Sequence, residues 1–295
     1  MRKKIPLETP VLFLVFNRPH TTSKVFKQIQ KVQPKKLFIA ADGPREDYPD
    51  DIIKCVEARS VLNKIDWECE VKTLFRDENL GCGRAVSEGI TWFFENVEEG
   101  IILEDDCVPD LSFFRFCEKL LDRYRGNKDI MHIGANNYQY GRKIENVSYY
   151  YSRYAHVWGW ATWRRAWRNF DFNILKKDSN KSSETLLARS LVNDIILRQV
   201  DTWDVQWMYS IQRNKGLAIT PKISLVKNIG FNSGTHFNNE VPLFYKNVKF
   251  GSINDIIYHK GPIVADKVAD LFTKKVLYPQ SFYEKMVSRI ILHLA

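Results

Sequence analysis

The stretch of sequence that decides the fold is Gly100-Ile101-Ile102-Leu103-Glu104-Asp105-Asp106, an apolar run that stops on three adjacent carboxylates. A short apolar run bounded by polar residues is typical of a strand that is buried on both faces of a sheet. A second run of this kind, Val11 to Phe16, occurs earlier in the chain and ends on Asn17 and Arg18. Both runs therefore predict central strands that end in polar side chains.

Helical patterns lie between the predicted strands, and this alternation sets the fold class. After the first strand, Val25, Ile29 and Val32 recur at spacings of four and three, as on one face of a helix. Strands that alternate with helices form a mainly parallel sheet. We predict an α/β fold with a mainly parallel central sheet flanked by helices, and a smaller, irregular second half. The other predicted strands are Leu37 to Ala41, Val71 to Phe75 and Ile130 to Ile133.

Polar clusters follow three of these strands. They are Asn17-Arg18, Asp42-Gly43 and Glu104-Asp105-Asp106. In open α/β sheets, ligands bind outside the carboxyl ends of the strands. The topology therefore predicts a binding site at this edge of the sheet.

The texture of the sequence changes near residue 149, where the strand–helix alternation becomes irregular. Six of the eight tryptophans lie between Trp158 and Trp207. We predict a nucleotide-sugar-binding half over residues 1–148, an acceptor and catalytic half of the same domain over 149–250, and a basic, helical C-terminal extension over 251–295. Within the second half we predict a polar loop over 178–184 and helices over about 184–199 and 203–213.

Composition excludes several classes of protein. Of the 295 residues, 44% are hydrophobic and 27% are charged, which excludes a disordered or fibrous chain. The longest apolar run has six residues, whereas a membrane-spanning helix needs about 20. The five cysteines include no Cys-x-x-Cys pair, as expected of reduced thiols. Since no secretory signal precedes the first strand, we expect a cytoplasmic protein, either free or peripheral to the inner face of the cell membrane.

The net charge of +9 is concentrated near the C-terminus. Lys215 to Arg289 contains eleven Lys/Arg against five Asp/Glu. No nucleic-acid-binding motif accompanies this excess, so we expect no nucleic-acid partner. A solvated basic surface, an anionic membrane and a phosphate-bearing substrate remain open as explanations. The apolar segment from Met286 to Leu294 is either an ordinary packed helix or an interfacial anchor.

The carboxylate triplet at residues 104–106 carries the chemistry. Adjacent carboxylates repel one another unless a cation or hydrogen bonds offset the repulsion. Mg²⁺ or Mn²⁺ takes oxygen ligands from one or two carboxylates and completes its shell with phosphate oxygens and water. The triplet is therefore suited to a metal-bound diphosphate. The alternative is an acidic turn that binds no ligand, which would have the same sequence pattern.

Several ordered pieces of the sequence form a wider pattern. They are Pro10-Val11-Leu12-Phe13 with Asn17-Arg18, Asp42, Ile102 to Asp106 with Asp110 and Phe113-Phe114, Gly159-Trp160, Trp203-Asp204 with Trp207, and Pro221 with Ile223-Ser224. Over about residues 10 to 236 the chain resembles the GT-A glycosyltransferases. Within them it is most similar to the inverting N-acetylglucosaminyltransferases of N-glycan synthesis and the bacterial nucleotide-diphospho-sugar transferases related to them.

The resemblance implies a donor site for a nucleotide-diphosphate sugar, with a lean to uridine. Arg18 would contact a phosphate and Asp42 the base, while Glu104 and Asp105 would contact the donor sugar and the ribose. Asp106 would be the direct ligand of Mn²⁺ or Mg²⁺. Two further donor contacts are implied: Arg84, on a weaker match, and the Thr235-His236 segment, which would close over the diphosphate. Thr235 stands where the family has a serine.

The resemblance also implies a catalytic base, Asp204. The family carries two acidic residues after the first Trp of this motif, whereas here the second is Val205, so the role falls on Asp204 alone. Inverting transfer needs a base to take the proton of the attacking acceptor hydroxyl, and a carboxylate with an ordinary pKa is ionised at neutral pH. The alternative is that Asp204 is only a favourable charge at a helix N-terminus.

The acceptor would be a saccharide or a lipid-linked saccharide. Trp160 and Trp203 are the candidates to stack on an acceptor sugar, although tryptophans four apart on a helix are more often core residues. Two other functions stay open. A sugar-phosphate nucleotidylyltransferase should carry a Gly-rich loop with an Arg after the first strand, but residues 17–20 contain no glycine. A carbohydrate-binding protein without activity would explain the tryptophans but not the triplet.

Overall fold

A computed structural model describes residues 6–142, 146–177, 200–232, 240–279 and 281–294. Within these ranges the chain forms an eight-stranded mixed sheet, flanked by helices, and a small two-stranded sheet. The strands are β1 Val11–Val15, β2 Lys36–Ala41, β3 Glu70–Phe75, β4 Glu99–Glu104, β5 Cys107–Pro109, β6 Ile130–Gly134, β7 Tyr149–Ser152, β8 Trp160–Trp163, β9 Leu217–Pro221 and β10 Val226–Asn228.

The helices fall between and after these strands. They are α1 Pro19–Val32, α2 Asp50–Arg59, α3 Gly81–Asn96, α4 Leu111–Tyr124, α5 Arg164–Trp167, α6 Ile174–Lys177, α7 Asp204–Arg213, α8 Leu243–Lys246, α9 Lys267–Leu277 and α10 Phe282–Leu294. Short 3-10 turns cover 60–64 and 230–232. None of the helices in these described ranges is long and apolar enough to cross a membrane.

The parallel part of the sheet positions the site. Strands run in the order β3-β2-β1-β4-β8-β6-β9-β7, and the first four are parallel to one another. Leu14 of β1 stands opposite Ala40 of β2 on one side and Glu104 of β4 on the other. The carboxyl ends of these three strands therefore meet, as the polar clusters in the sequence predict.

The rest of the sheet comes largely from the irregular half of the sequence. β8 inserts antiparallel between β4 and β6, β9 runs parallel to β6, and β7 forms the antiparallel edge. The sheet is thus continuous across residue 148, and six of its eight strands point the same way. The predicted α/β class with a mainly parallel sheet between helices is confirmed.

Alternate residues of the strands pack against different helices. Val11 and Phe13 of β1 belong to the core that includes α1 and α4, whereas Leu12 and Leu14 belong to the core that includes α3 and α7. All four side chains are buried. The continuous apolar runs follow from this three-layer arrangement, because both faces of a central strand must be apolar.

Most predicted elements are found within two residues of their expected limits. Helix α4 begins after Asp110, whose carboxylate accepts a hydrogen bond from Ser112 N at 2.8 Å as its N-cap. The helix expected over 203–213 is α7, and the C-terminal segment contains α9 and α10. The predicted loop over 178–184 and the predicted helix over 184–199 lie outside the described residues, which stop at 177 and resume at 200.

Candidate functional site

A cavity of about 340 Å³ lies at the carboxyl ends of β1, β2 and β4. The N-terminal turn of α3 covers one side of it. Its lining combines apolar, basic and acidic side chains: Leu14, Val15, Phe16, Arg18, Ala40, Asp42, Arg45, Arg76, Asn79, Gly81, Cys82, Ala85, Val86, Glu104, Asp105 and Asp201. Four residues predicted for the donor site, Arg18, Asp42, Glu104 and Asp105, thus surround one cavity.

Arg18 joins the loop after β1 to the carboxylates after β4. Its Nη2 lies 2.5 Å from Asp105 Oδ1, and its Nη1 lies 2.7 Å from Asp106 Oδ2. Asp105 is also held by the Phe16 N–H, which donates to Oδ2 at 3.1 Å. Burial raises the pKa of Asp105 to about 6, and the charge of Arg18 opposes that rise. One guanidinium therefore bridges two of the three adjacent carboxylates.

Glu104 differs from its two neighbours. It makes no hydrogen bond or ion pair with any residue that the structure describes. Burial and the negative charge of Asp106 together raise the pKa of its carboxyl to about 8, and the charge of Arg18 opposes that rise. A carboxyl with this pKa carries a proton at neutral pH in most molecules. The Glu104 carboxyl thus lines the cavity without a hydrogen-bond or ion-pair partner among the described residues.

Asp42 is occupied by the protein's own backbone. Its carboxylate accepts from the N–H groups of Gly43, Leu80 and Gly81 and from the Asn79 amide, at 2.9 to 3.2 Å. Burial raises the pKa of Asp42, and these N–H groups oppose the rise. Asp42 lines the cavity, but in this structure it anchors the 79–81 loop. The predicted contact with a base would require it to give up one of these bonds.

Arg84 does not line the cavity, contrary to the sequence-based expectation. α3 turns Ala85 and Val86 toward the cavity, while the Arg84 guanidinium lies 5.2 Å from the centre of the Phe172 ring. Its side chain is 61% exposed. The reason is helical geometry, since neighbouring residues on a helix point about 100° apart.

Other basic and polar residues at the cavity were not foreseen. Arg45 pairs with the buried Asp51 at 2.6 Å, and Asp201 Oδ1 accepts from Gly83 N at 2.8 Å. A Cβ on Gly83 would lie 2.5 Å from that oxygen. The glycines at 81 and 83 were the available signal, because they mark where Asp201 approaches the start of α3.

Asp204, the predicted base, lies at the start of a helix far from the triplet in the sequence. It is the first residue of α7, and its Oδ1 accepts from the Thr202 hydroxyl and from Val205 N. Its negative charge is close enough to contribute to the raised pKa of Glu104. Within the described ranges its Oδ2 accepts no hydrogen bond. Asp204 itself does not line the cavity, whereas Asp201, three residues earlier, does.

Trp160 and Trp203 are core residues in this structure. Trp160 is fully buried and Trp203 is 3% exposed; their rings stack on one another with centroids 5.7 Å apart. Neither presents a face to solvent, so the predicted stacking on an acceptor sugar does not fit. Burial in a tryptophan-rich core, the alternative interpretation of these residues, accounts for both.

The segment after β10 covers Asp106. β10 pairs with β5, which places Asn228 Nδ2 3.4 Å from Asp106 Oδ1. A Cβ on Gly230 would overlap Asp106 Oδ2 and lie 2.9 Å from Arg18 Nη1. Only a glycine therefore allows the chain to pass this close. Thr235 and His236, predicted to close over a diphosphate, lie outside the described residues.

The residues present fit a divalent cation. Glu104 offers carboxylate oxygens, the ligands that Mg²⁺ and Mn²⁺ prefer, without a competing hydrogen-bond donor. Asp106 offers them too, once a cation displaces Arg18 or Asn228. The three carboxylates also outnumber the one guanidinium that faces them. In the described part of the chain no three or more His, Cys, Asp or Glu side chains form a metal-binding group. A phosphate-bound Mg²⁺ commonly needs only one or two carboxylates.

Comparison with known proteins gives no family and no curated relative. No protein-family model matches the chain, and no curated protein matches it. Similar solved structures include a UDP-glucose pyrophosphorylase complexed with UDP-glucose, at 8% identity and TM-score 0.39, covering 75% of this chain and 92% of that one. The apo form of a UDP-glucose pyrophosphorylase gives 9% identity and TM-score 0.38 over the same shares. HddC from Yersinia pseudotuberculosis gives 12% identity and TM-score 0.33, covering 53% of this chain and 77% of that one. At these values the likeness assigns no activity to this chain.

Proposed function

We propose that the protein is a metal-dependent, inverting glycosyltransferase of the GT-A type. It would move a sugar from a nucleotide-diphosphate sugar, with UDP-sugars favoured, to a hydroxyl of a saccharide or lipid-linked saccharide. The observation that carries this proposal is the meeting of Arg18, Glu104 and Asp105 at one cavity, with Asp106 paired to the same arginine. The negative charge of Asp204 also acts on Glu104.

The cavity would hold the nucleoside part of the donor. Its volume of about 340 Å³ lies within the range of roughly 300–1,000 Å³ that is usual for small-molecule sites. Its apolar floor, with Leu14 and Ala40, suits a base and a ribose, and Arg18 stands where a phosphate would follow. Arg45 and Asn79 add polar groups that could fix the orientation of the base.

Glu104 and Asp106 are the residues that would hold Mn²⁺ or Mg²⁺. When bound, such an ion neutralises charge on the phosphate oxygens of the departing nucleoside diphosphate. Arg18 would contribute to the same end, because its guanidinium can donate to a phosphate as well as to a carboxylate. Deprotonation of Glu104 would accompany metal binding, since burial and the charge of Asp106 raise its pKa to about 8 when no cation is bound.

Asp204 would act as the general base. It would accept the proton of the acceptor hydroxyl while that oxygen forms a bond to the anomeric carbon from the face opposite the leaving group. The bond between the anomeric carbon and the phosphate oxygen breaks, and its electron pair leaves with the nucleoside diphosphate. The Thr202 hydroxyl and Val205 N–H hold Oδ1, which leaves Oδ2 to take the proton.

A nucleotidylyltransferase is the alternative, and the position of Arg18 is the observation that favours it. Such an enzyme would use an arginine after the first strand, and Arg18 lies there at the cavity. UDP-glucose pyrophosphorylases are also among the similar solved structures. Against it, the loop from β1 to α1 holds only residues 16–18 and no glycine, and α1 opens on Pro19, which has no N–H for a phosphate. A carbohydrate-binding protein loses its main support with the burial of the tryptophans.

The two enzyme functions release different products. The purified protein is incubated with Mn²⁺ and UDP-glucose, UDP-N-acetylglucosamine or GDP-mannose, and separately with UTP and glucose 1-phosphate. We expect release of UDP or GDP, with water replacing an acceptor at a slow rate, and no pyrophosphate. Pyrophosphate formation from UTP, without release of UDP from any sugar nucleotide, would establish the alternative.

Asp204→Asn tests the base within the same assay. General-base assistance is typically worth about 10²–10⁴-fold in rate, so release of the nucleoside diphosphate should fall by that factor while nucleotide binding persists. Asp171→Asn is the matched control, because its carboxylate pairs with Lys177 at the surface. Equal rates for Asp204→Asn and the control would remove Asp204 from the mechanism.

A further inference from the structure

The two C-terminal helices present apolar side chains to solvent. On and just before α9, the exposed residues Val264, Val268 and Leu271 recur at helical spacing, each more than half exposed. On α10, Tyr283, Met286 and Ile290 recur at similar spacing and are 73%, 48% and 55% exposed. Helix α10 packs against α9, and Ser288 Oγ donates to Val276 O at 2.8 Å. The inner faces are thus used within the fold, whereas these outer side chains remain largely exposed.

Cations lie among these apolar residues. Lys267 and Lys275 are exposed on the same side of α9 as Val268 and Leu271, and Lys274 is half-buried beside them. Lys285 and Arg289 are exposed on α10. None of the five forms an ion pair with a carboxylate in the part of the chain that the structure describes.

The carboxylates of this region are fewer than its five cations, and each of them is engaged within the fold. Asp266 caps α9 by accepting from Val268 N and Ala269 N at 3.0 and 2.9 Å. Asp270 is buried and accepts from Ser152 Oγ at 2.6 Å and Arg153 N at 3.1 Å. Glu284 accepts from Ser281 N at 3.1 Å. The charge that this surface presents to its surroundings is therefore positive.

A second apolar patch lies on α2 and has a different electrostatic setting. Ile52, Ile53 and Val56 are each at least 60% exposed. The exposed charged neighbours of this patch on the helix are Asp50, Glu57 and Lys54, and Lys54 pairs with Asp50 at 3.4 Å, so the charge beside the patch is net negative. An apolar patch among carboxylates would be repelled by an anionic surface, so α2 provides an internal comparison for α9 and α10.

We infer that the outer faces of α9 and α10, defined by Val264, Val268, Leu271, Tyr283, Met286 and Ile290 with their lysines and arginine, bind the surface of an anionic lipid bilayer. Apolar side chains that insert at the headgroup boundary, flanked by cations that meet acidic lipid, are what such binding requires. The helices lie on the surface and do not cross it, because α9 has 11 residues and α10 has 13, whereas a span needs about 20.

Vesicle co-sedimentation of the full chain tests this inference. Phosphatidylcholine vesicles with phosphatidylglycerol should capture the protein at low salt and release most of it at high salt, and pure phosphatidylcholine should capture little. Val268→Glu with Leu271→Glu should abolish capture, and Lys275→Gln should weaken it about fivefold, the effect of one cation at an anionic surface. The pair Ile52→Glu and Ile53→Glu on α2 is the matched control and should leave capture unchanged.

Each other outcome overturns the inference. Equal capture by neutral vesicles would make the surface merely apolar, and absence of capture by anionic vesicles would exclude the bilayer. Self-association of the wild type, lost in Val268→Glu with Leu271→Glu, would identify a second copy as the occupant. Circular dichroism and thermal unfolding show whether the variants remain folded. Asp106→Ala should still bind vesicles, which separates this inference from the proposed enzymatic function.

Discussion

At the scale of single residues, the carboxylates of the site have different partners, although the sequence alone does not distinguish them. Asp105 and Asp106 are held by Arg18, Glu104 has no partner, and Asp42 is enclosed by backbone N–H groups. Neighbours, and not residue type, decide which of them can receive a ligand. Glu104 is the one that meets the cavity with its acceptor capacity unused.

Asp42→Asn tests the anchoring of the 79–81 loop. The amide NH₂ of the asparagine would face the N–H groups of Leu80 or Gly81, which would then lack an acceptor. Such unpaired buried donors should lower the free energy of unfolding by about 1–3 kcal/mol. The midpoint of urea unfolding should fall accordingly. Asp47→Asn, in an exposed turn, should change it little. Equal midpoints for the two variants would show that Asp42 is free to meet a base.

Arg18 and residues 104–106 could be predicted as site residues because each directly follows a buried strand. Arg45, Asn79 and Asp201 could not, because they reach the cavity from loops whose course depends on tertiary contacts. Arg84 was misplaced for a related reason: its position next to cavity-lining Ala85 and Val86 does not reveal the direction in which a helix turns it.

At the scale of elements, the segment after β10 is fitted closely to the carboxylates. Gly230→Ala would force a Cβ against Asp106 Oδ2 and Arg18 Nη1. Overpacking of this kind costs about 1–3 kcal/mol, so we expect nucleotide affinity, measured by calorimetry, to fall about tenfold or more. Gly126→Ala is the control, since a Cβ there meets no atom within 4 Å. Unchanged affinity in Gly230→Ala would show that this segment stands clear of the donor site.

The contact between β6 and the tryptophan core contains a buried neutral histidine. His132 Nδ1 accepts from Trp207 Nε1 at 3.2 Å, so its Nε2 carries the proton and donates to His156 O at 3.1 Å. The ring also stacks on Trp160 at 5.0 Å. Burial lowers the pKa of His132 to about 3 and that of His156 to about 4.

These lowered pKa values predict loss of stability in acid. The folded protein binds fewer protons than the unfolded chain between the folded pKa and the ordinary value of about 6.5. The stabilising contribution is therefore complete above pH of about 6.5 and is lost as the pH falls toward 4. Each histidine can contribute a slope of up to about 1.4 kcal/mol per pH unit.

Urea unfolding at a series of pH values between 7 and about 4.5 measures this slope. His132→Gln should be less stable than the wild type at pH 7 and should show a shallower decline in acid, because one of the two buried histidines is gone. Parallel curves for the wild type and His132→Gln would contradict the assignment of this acid sensitivity to His132.

At the scale of the whole molecule, alternation of apolar runs and helical patterns was enough to predict the α/β class and the edge that holds the site. The order of strands beyond β4 was not readable. β7 and β8 have four residues each, and β10 has three; such short strands are specified by their partners rather than by their own pattern. The insertion of β8 between β4 and β6 therefore could not be predicted from the sequence and is known only from the structure.

The tryptophan-rich stretch illustrates the same limit. Its spacing predicted either a core or a sugar-binding face, and only the packing of α7 against β8 and α5 decides for the core. Four rings contact one another in this core, with centroids 5.1 to 6.3 Å apart: Trp160, Trp167, Trp203 and Trp207. An acceptor site must then be sought among other residues around Asp204.

Calorimetric titration of UDP into the full chain, with and without Mn²⁺ and repeated on Asp106→Ala, tests the central claim most directly. We predict binding that requires both the metal and Asp106, because the carboxylates at the cavity repel a diphosphate that arrives without a cation. Binding of UDP that persists without Mn²⁺ and in Asp106→Ala would show that the triplet has only a structural role, held by Arg18. No binding of UDP, or of GDP in the same experiment, would contradict the account of this cavity as a nucleotide-sugar site.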